Sequence, residues 1–261
     1  MRLKEILIIY QNCKVRNPSK KRYLSEKFVI FNILVKYITF LPAYFLTKIK
    51  ISPDFITILS FFFVPLGCYF LIFQNPIMGG ACWIIFGILD SLDGDMARLS
   101  KKKTFYGETI DSMGADIFYF LAPTTVGLFL FNIKIDHEID HVPIYLIIVG
   151  FLISFFLIFS RYMGSKRYIL SLLSPKINQV FYNKKKIKNL KKLKLKTSFI
   201  ENEVLRGNFF SEPGMILNFF VLIYYNQTKL MEFYLIILLS YHFILFSKTM
   251  VSLIVYFINI K

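Results

Sequence analysis

Apolar residues in this chain gather into long runs, parted by short polar or basic segments. Stretches at about 54–73, 77–97, 107–131, 142–160, 208–225 and 232–258 are almost uninterrupted. Each is close to the ~20 residues a helix needs to cross ~30 Å of hydrocarbon. No alternating ten-residue barrel pattern occurs, and backbone amides in lipid must be paired within their own segment, so the runs are predicted to be helices. Phe28 to Thr47 is also apolar, but Lys27, Lys36 and Lys48 break or bound it. It is predicted to lie in the membrane surface, with an extra span as the alternative. The expected fold class is an all-α integral membrane protein, six transmembrane helices preceded by an interfacial amphipathic helix.

Composition agrees with a lipid solvent: 56% of residues are hydrophobic and 18% aromatic, far from a soluble globular profile. The 30 Phe and 16 Tyr read as lipid-facing and packing surface, with some Tyr as interfacial anchors. Lys and Arg number 32 against 16 Asp and Glu, a formal charge of +16. The positive charge is cut into blocks by the apolar runs, which argues against a nucleic-acid partner and for cytoplasmic loops. If the first span runs outward, Lys48, Lys50, Arg98, Lys101, Lys102, Lys103 and the 161–207 stretch share one side. The other side holds Asp136, Glu138, Asp140 and Glu232 against Lys134 and Lys229. Both termini are therefore expected in the cytoplasm. Residues 1–26 are expected to form a cytoplasmic N-terminal segment without a signal-peptide pattern, and residues 27–258 the membrane-embedded domain. Its basic cytoplasmic loop, about 161–207, includes the low-complexity block Asn183–Lys196, a solvated loop or a segment attracted to anionic headgroups. Cys13, Cys68 and Cys82 have no metal spacing and imply neither a disulfide frame nor a zinc site.

Ionisable groups at membrane depth are costly and usually functional, and they concentrate in one place. The segment Asp90-Ser91-Leu92-Asp93-Gly94-Asp95-Met96-Ala97-Arg98 closes the second span. On a helix Asp90, Asp93, Gly94 and Ala97 fall at i, i+3, i+4 and i+7 and share a face. Eight residues separate Arg98 from Gly107, after which Asp111 and Asp116 open the third span. A second helix can thus present carboxylates to the first. Their mutual repulsion would be relieved by hard divalent cations, Mg²⁺ or Mn²⁺, which take oxygen ligands and bridge protein carboxylates to phosphates. Small residues beside them would admit a nucleotide to the backbone. The arrangement suits attack at phosphorus between paired metals.

These residues resemble the signature of the CDP-alcohol phosphatidyltransferases, D-x2-D-G-x2-A-R, a spacer of about eight, then G-x3-D-x3-D. The matching positions are Asp90, Asp93, Gly94, Ala97, Arg98, Gly107 and Asp111. Ile51-Ser52-Pro53-Asp54-Phe55-Ile56-Thr57 is similar to the family's entry into its first span, with Asp54 where Asn is common. The resemblance implies a membrane-embedded site, open to the cytoplasm, in which a CDP-alcohol loses CMP while its phosphoalcohol passes to an acceptor hydroxyl. CDP-diacylglycerol with a polar acceptor, or a CDP-linked polar group with a lipid acceptor, would both satisfy it. It implies Asp90, Asp93 and Asp111 as metal ligands, two divalent ions, and Gly94, Ala97 and Gly107 around the cytidine nucleotide, with Arg98 orienting phosphates or carboxylates. A homodimer is inferred from the family alone, with the third and fourth spans as contact surfaces. The family's last Asp is a metal ligand and the proposed base for the acceptor proton. Here that position is Ala115, and the carboxylate follows at Asp116. With a helical step of about 100°, Asp116 points about 140° from Asp111. A π-bulge eased by Gly114 would bring it back as ligand and base; without one, Asp111 or water must take the proton.

Other readings remain at this stage. His137-Glu138-Ile139-Asp140-His141 fits H-E-x-x-H and Leu92-Asp93-Gly94 the L-D-G of intramembrane metalloproteases. The order is reversed, however, and the first motif sits in a polar loop ended by Pro143. His242 is expected as a packed residue of the last span. A transporter or channel is the non-enzymatic alternative, opposed by the clustering of carboxylates at one end of neighbouring spans. Arg161, Lys166 and Arg167 are candidates for binding an acidic acceptor, or ordinary flanking charge.

Overall fold

The computed structural model describes residues 30–73, 75–100, 105–136, 143–173 and 208–258. Seven helices follow one another along the described residues, with no strand among them: α1 Ile30–Lys48, α2 Pro53–Phe73, α3 Pro76–Ser100, α4 Phe105–Asp136, α5 Ile144–Leu173, α6 Glu212–Tyr224 and α7 Thr228–Ile258. The chain is thus all-α, and α2, α3, α4, α5 and α7 contain the spans expected there.

Six of the seven are long and apolar enough to cross a bilayer, but the set includes α1 and omits α6. The expected span at 208–225 becomes a 13-residue helix, about 20 Å long. Its start is set by Ser211 and Pro213, since proline suits a first helical turn. Its end is set by Asn226 in the left-handed region, φ 52°, a conformation Asn tolerates. In α1 the helix runs on through Lys36, 19 residues in all. It packs on α3 through a stripe four residues apart, Phe31, Val35, Thr39 and Ala43, all buried.

Around α3 lie α1, α2 and α6; α4 packs on α2 and α5, and α7 on α5. The centre is aromatic. Phe86 of α3 stacks on Phe118 of α4 with centroids 5.6 Å apart, and Trp83 meets Phe118 edge-on at 5.8 Å. Trp83 donates Nε1–H to the Val64 carbonyl of α2 at 3.3 Å, which satisfies its one donor in an apolar setting. Lipid tails are as apolar as these side chains, so packing rather than water expulsion holds such helices together. At the end remote from the acidic motif, Lys134 of α4 pairs with Glu232 of α7 at 2.7 Å.

A turn of π-helix occupies Asn208–Phe210, just ahead of α6. Asn218 holds it by donating to the Asn208 carbonyl at 3.0 Å, and the Tyr234 hydroxyl donates to the Phe209 carbonyl. The Asn208 side chain accepts the Ile30 N–H of α1 at 2.8 Å.

Candidate active site

The acidic motif lies on the last turns of α3, where each carboxylate has a different neighbour. Asp93 is buried, and its Oδ2 accepts a hydrogen bond from Thr57 Oγ1 of α2 at 2.5 Å. Thr57 ends the Ile51–Thr57 segment, so that entry motif anchors an acidic side chain of the next helix. Asp95, two residues and about 200° further round, is 3% exposed. It accepts from Thr39 Oγ1 of α1 at 2.7 Å and pairs with Arg98. The second carboxylate of Asp93-Gly94-Asp95 therefore faces away and ties α1 to α3.

Arg98 folds back over Gly94, where a Cβ would stand 3.3 Å from the guanidinium. Its Nε is buried without a hydrogen-bond partner among the described residues, a donor positioned for an anion. Ala97 and Gly107, the signature's other small residues, are half-buried.

From the start of α4, Asp111 stands within electrostatic reach of Asp90 of α3. Asp93 lies within electrostatic reach of both. Carboxylates brought together from two helices repel one another, and a cation between them would offset that repulsion. As they stand, no three His, Cys, Asp or Glu side chains among the described residues are grouped closely enough to hold a metal ion. The donor types are those a hard divalent cation takes: all oxygen, from two helices.

Asp116 departs from expectation. α4 is continuous α-helix from Phe105 to Asp136, so the π-bulge between Asp111 and Asp116 is absent. Gly114 instead provides a close approach to α2: a Cβ there would come within 2.5 Å of the Phe61 ring. With α-helical geometry kept, Ala115 packs against the apolar core. Asp116 is turned to Arg161 of α5, paired at 2.5 Å. Arg161 also lies over the Tyr119 ring at 5.1 Å.

Arg161 lines a cavity of about 320 Å³ between α4, α5, α7 and the π-turn, together with Tyr119, Ser160, Tyr241, His242 and Thr249. His242 is buried as expected, yet borders this space. The side chains of Lys166 and Arg167, and the His137–His141 motif, lie outside the described residues. Cys68 and Cys82 are free thiols.

Glu212 was not among the expected site residues. It heads α6, its backbone N–H donates to the Tyr119 hydroxyl at 3.2 Å, and its carboxyl group is within electrostatic reach of Asp111, Asp116 and Arg161. A lone carboxylate at the mouth of an apolar run was its signal in the sequence, but its neighbours belong to helices far back along the chain.

Residues 50–198, more than half of the chain, match the family model of the CDP-alcohol phosphatidyltransferases. The chain belongs to this family. Asp90, Asp93, Asp111 and Arg161 all fall inside the matched region, whereas Glu212 lies beyond it. Among similar proteins, an uncharacterized protein of Aquifex aeolicus is 37% identical over 68 residues, 26% of this chain and 35% of that protein. An archaetidylinositol phosphate synthase of Pyrococcus horikoshii is 34% identical over 67 residues, 26% of this chain and 36% of that protein. The chain thus spans about a third of the length of the curated relatives it matches. No solved structure is a significant match.

Proposed function

We propose that this CDP-alcohol phosphatidyltransferase family member transfers a phosphatidyl-type group from a CDP-linked lipid to the hydroxyl of a polar acceptor, releasing CMP, in membrane lipid synthesis. The observation that carries the reading is the family signature split between the end of α3, where buried Asp93 is held by Thr57, and the start of α4, where Asp111 stands. In the reaction the acceptor oxygen bonds to the phosphorus that bears the alcohol. The pyrophosphate oxygen bond to that phosphorus breaks, CMP leaves with the electron pair, and the acceptor proton passes to a carboxylate or to water.

Asp90, Asp93 and Asp111 would hold Mg²⁺ or Mn²⁺. Such ions, when bound, neutralise the charge on the two phosphates and on the leaving oxygen. Thr57 restrains Asp93, and a carboxylate with one fixed oxygen presents the other in a defined direction. Arg98 offers its buried Nε to a phosphate oxygen, with Gly94, Ala97 and Gly107 admitting the nucleotide to the backbone. Arg161 and the adjoining cavity suit an acceptor that carries an anionic group, since a guanidinium pairs well with phosphate. The name of the Pyrococcus horikoshii relative supports a polyol phosphate as that acceptor. The placement of α1 along the membrane surface and an active site facing the cytoplasm complete the proposal; the basic flanks support both.

The test is CMP release by the purified chain from labelled CDP-diacylglycerol, with a panel of polyols and polyol phosphates, in Mg²⁺ or Mn²⁺. The expected result is acceptor-dependent CMP release, abolished by a chelator and restored by either ion. Failure to release CMP from any CDP-alcohol would remove the transferase reading.

A further inference from the structure

Arg98 closes the first half of the signature, and the two residues one turn before it hold its side chain. Residues three and four apart on a helix are neighbours, so Arg98 can meet Gly94 and Asp95 on its own helix. It meets both. The guanidinium lies over Gly94, where a Cβ would stand 3.3 Å from Nη1 and 3.5 Å from Nη2, and Nη2 donates to Asp95 Oδ1. The first contact is open because residue 94 has no side chain; the second exists because residue 95 is an acid. The signature D-x2-D-G-x2-A-R requires the glycine but leaves position 95 free, so the ion pair is a property of this chain rather than of the motif.

The pair is built into the interior. Asp95 is 3% exposed, and its two oxygens have different partners: Oδ1 takes Arg98, and Oδ2 takes Thr39 Oγ1 of α1 at 2.7 Å. A guanidinium presents its donors in one rigid plane, so fixing one nitrogen fixes where the others point. Nε is left buried with no hydrogen-bond partner among the described residues, and such a donor is one that a bound oxygen would satisfy. Gly94 directly follows the signature's Asp93, so this nitrogen stands at the acidic end of α3. An anionic oxygen is the acceptor a guanidinium takes most strongly.

We propose that Asp95 is a positioning residue for the CDP-linked donor: it holds the Arg98 guanidinium over Gly94 so that the remaining N–H groups meet the pyrophosphate oxygens. Asp95 does not touch the substrate, and its charge acts through Arg98. The hold runs within α3, from residue 95 to residue 98, so it survives loss of the Thr39 contact that ties Asp95 to α1. This deepens the transferase reading and rests on it for the choice of ligand.

CDP is titrated calorimetrically into the purified full chain in detergent with Mg²⁺, and a melting curve is recorded for every variant. Asp95→Asn keeps the shape and an oxygen for Thr39 but removes the charge. It is expected to weaken CDP binding about tenfold, the scale of a lost hydrogen bond to a charged group. Arg98→Gln is expected to weaken it at least as much. With both changes together the affinity is expected to equal that of Arg98→Gln alone, because Asp95 then has nothing left to position. Thr39→Val is expected to keep the wild-type affinity while lowering the melting temperature. An Asp95 that serves only stability would give the same loss in either Arg98 background, so losses that multiply overturn the proposal. So do an unchanged affinity in Asp95→Asn, a loss in Thr39→Val equal to that in Asp95→Asn, and a wild type that does not bind CDP. A measurement on the wild type stands beside these should a variant fail to fold. The Arg98 Nε–H nuclear magnetic resonance signal, identified by its absence in Arg98→Lys, is expected to move when CDP is added, and its indifference to CDP overturns the proposal too. If the affinities come out as expected but the wild type releases no CMP from any CDP-alcohol, the positioning role stands and the transferase reading falls. If the wild type releases CMP and the losses multiply, the reverse holds.

Discussion

At the scale of single residues, the site is a set of carboxylates told apart by their neighbours. Asp90 lies within electrostatic reach of Asp111, Asp93 meets Thr57 and Asp95 meets Thr39 and Arg98. Thr57→Val removes a hydrogen bond to a charged group, worth about 1.5–3 kcal/mol in general. If Asp93 holds a cation, its turnover is expected to fall by about tenfold or more, with thermal stability in detergent changed little; CMP release and a melting curve check the two separately. Thr39→Val is expected to reverse that pattern. It takes from buried Asp95 a partner on α1, so the melting free energy falls by about 1–2 kcal/mol while CMP release per folded molecule is kept. The sequence showed three acids in six residues but not that the third is structural. Helical phase placed Asp95 off the shared face, yet only the partner on α1 explains why a buried carboxylate is tolerated there.

At the scale of elements, antiparallel α3 and α4 share an aromatic contact below the acids. Phe86 lies four residues before Asp90 and Phe118 seven after Asp111, so their stacking sets how the two helix ends meet. Phe118→Ala is expected to cost about 3–5 kcal/mol of stability and to lower Mn²⁺ affinity, measured by thermal melting and by titration. Gly114 is the comparable point between α2 and α4. Gly114→Leu would drive a side chain into Phe61, and overpacking of this kind costs about 1–3 kcal/mol, read as a lower melting temperature. The helices themselves were legible as apolar runs. The expected π-bulge was not found, because α4 keeps its backbone hydrogen bonds and Asp116 finds Arg161 instead of turning back. The only π-turn among the described residues lies at 208–210, where pairing with Asn218 and Tyr234 was invisible in a linear reading.

At the scale of the whole molecule, α3 ends and α4 and α6 begin at the end that carries the acids, while Lys134 and Glu232 join α4 to α7 at the other. If the acidic end faces the cytoplasm, a cysteine replacing exposed Lys48 will react with an impermeant maleimide only in inside-out vesicles. One replacing exposed Lys229 will react only in right-side-out vesicles; the opposite pattern would invert the orientation. Such labelling also bears on α1, which is long enough to cross but is flanked and interrupted by lysine.

The amino-acid sequence by itself determined that the chain lives in lipid as helices, and that a CDP-alcohol phosphatidyltransferase signature closes one helix and opens the next. Both are local properties: hydrocarbon thickness sets the length of an apolar run, and a 3.6-residue repeat sets which acids share a face. Tertiary structure alone decided that Thr57 and Thr39 sort the acids, that Arg161 claims Asp116, and that the Glu212 N–H docks on Tyr119. Those outcomes depend on side chains from separate helices competing for the same polar partners in a medium without water, and that competition has no trace in the spacing along one segment.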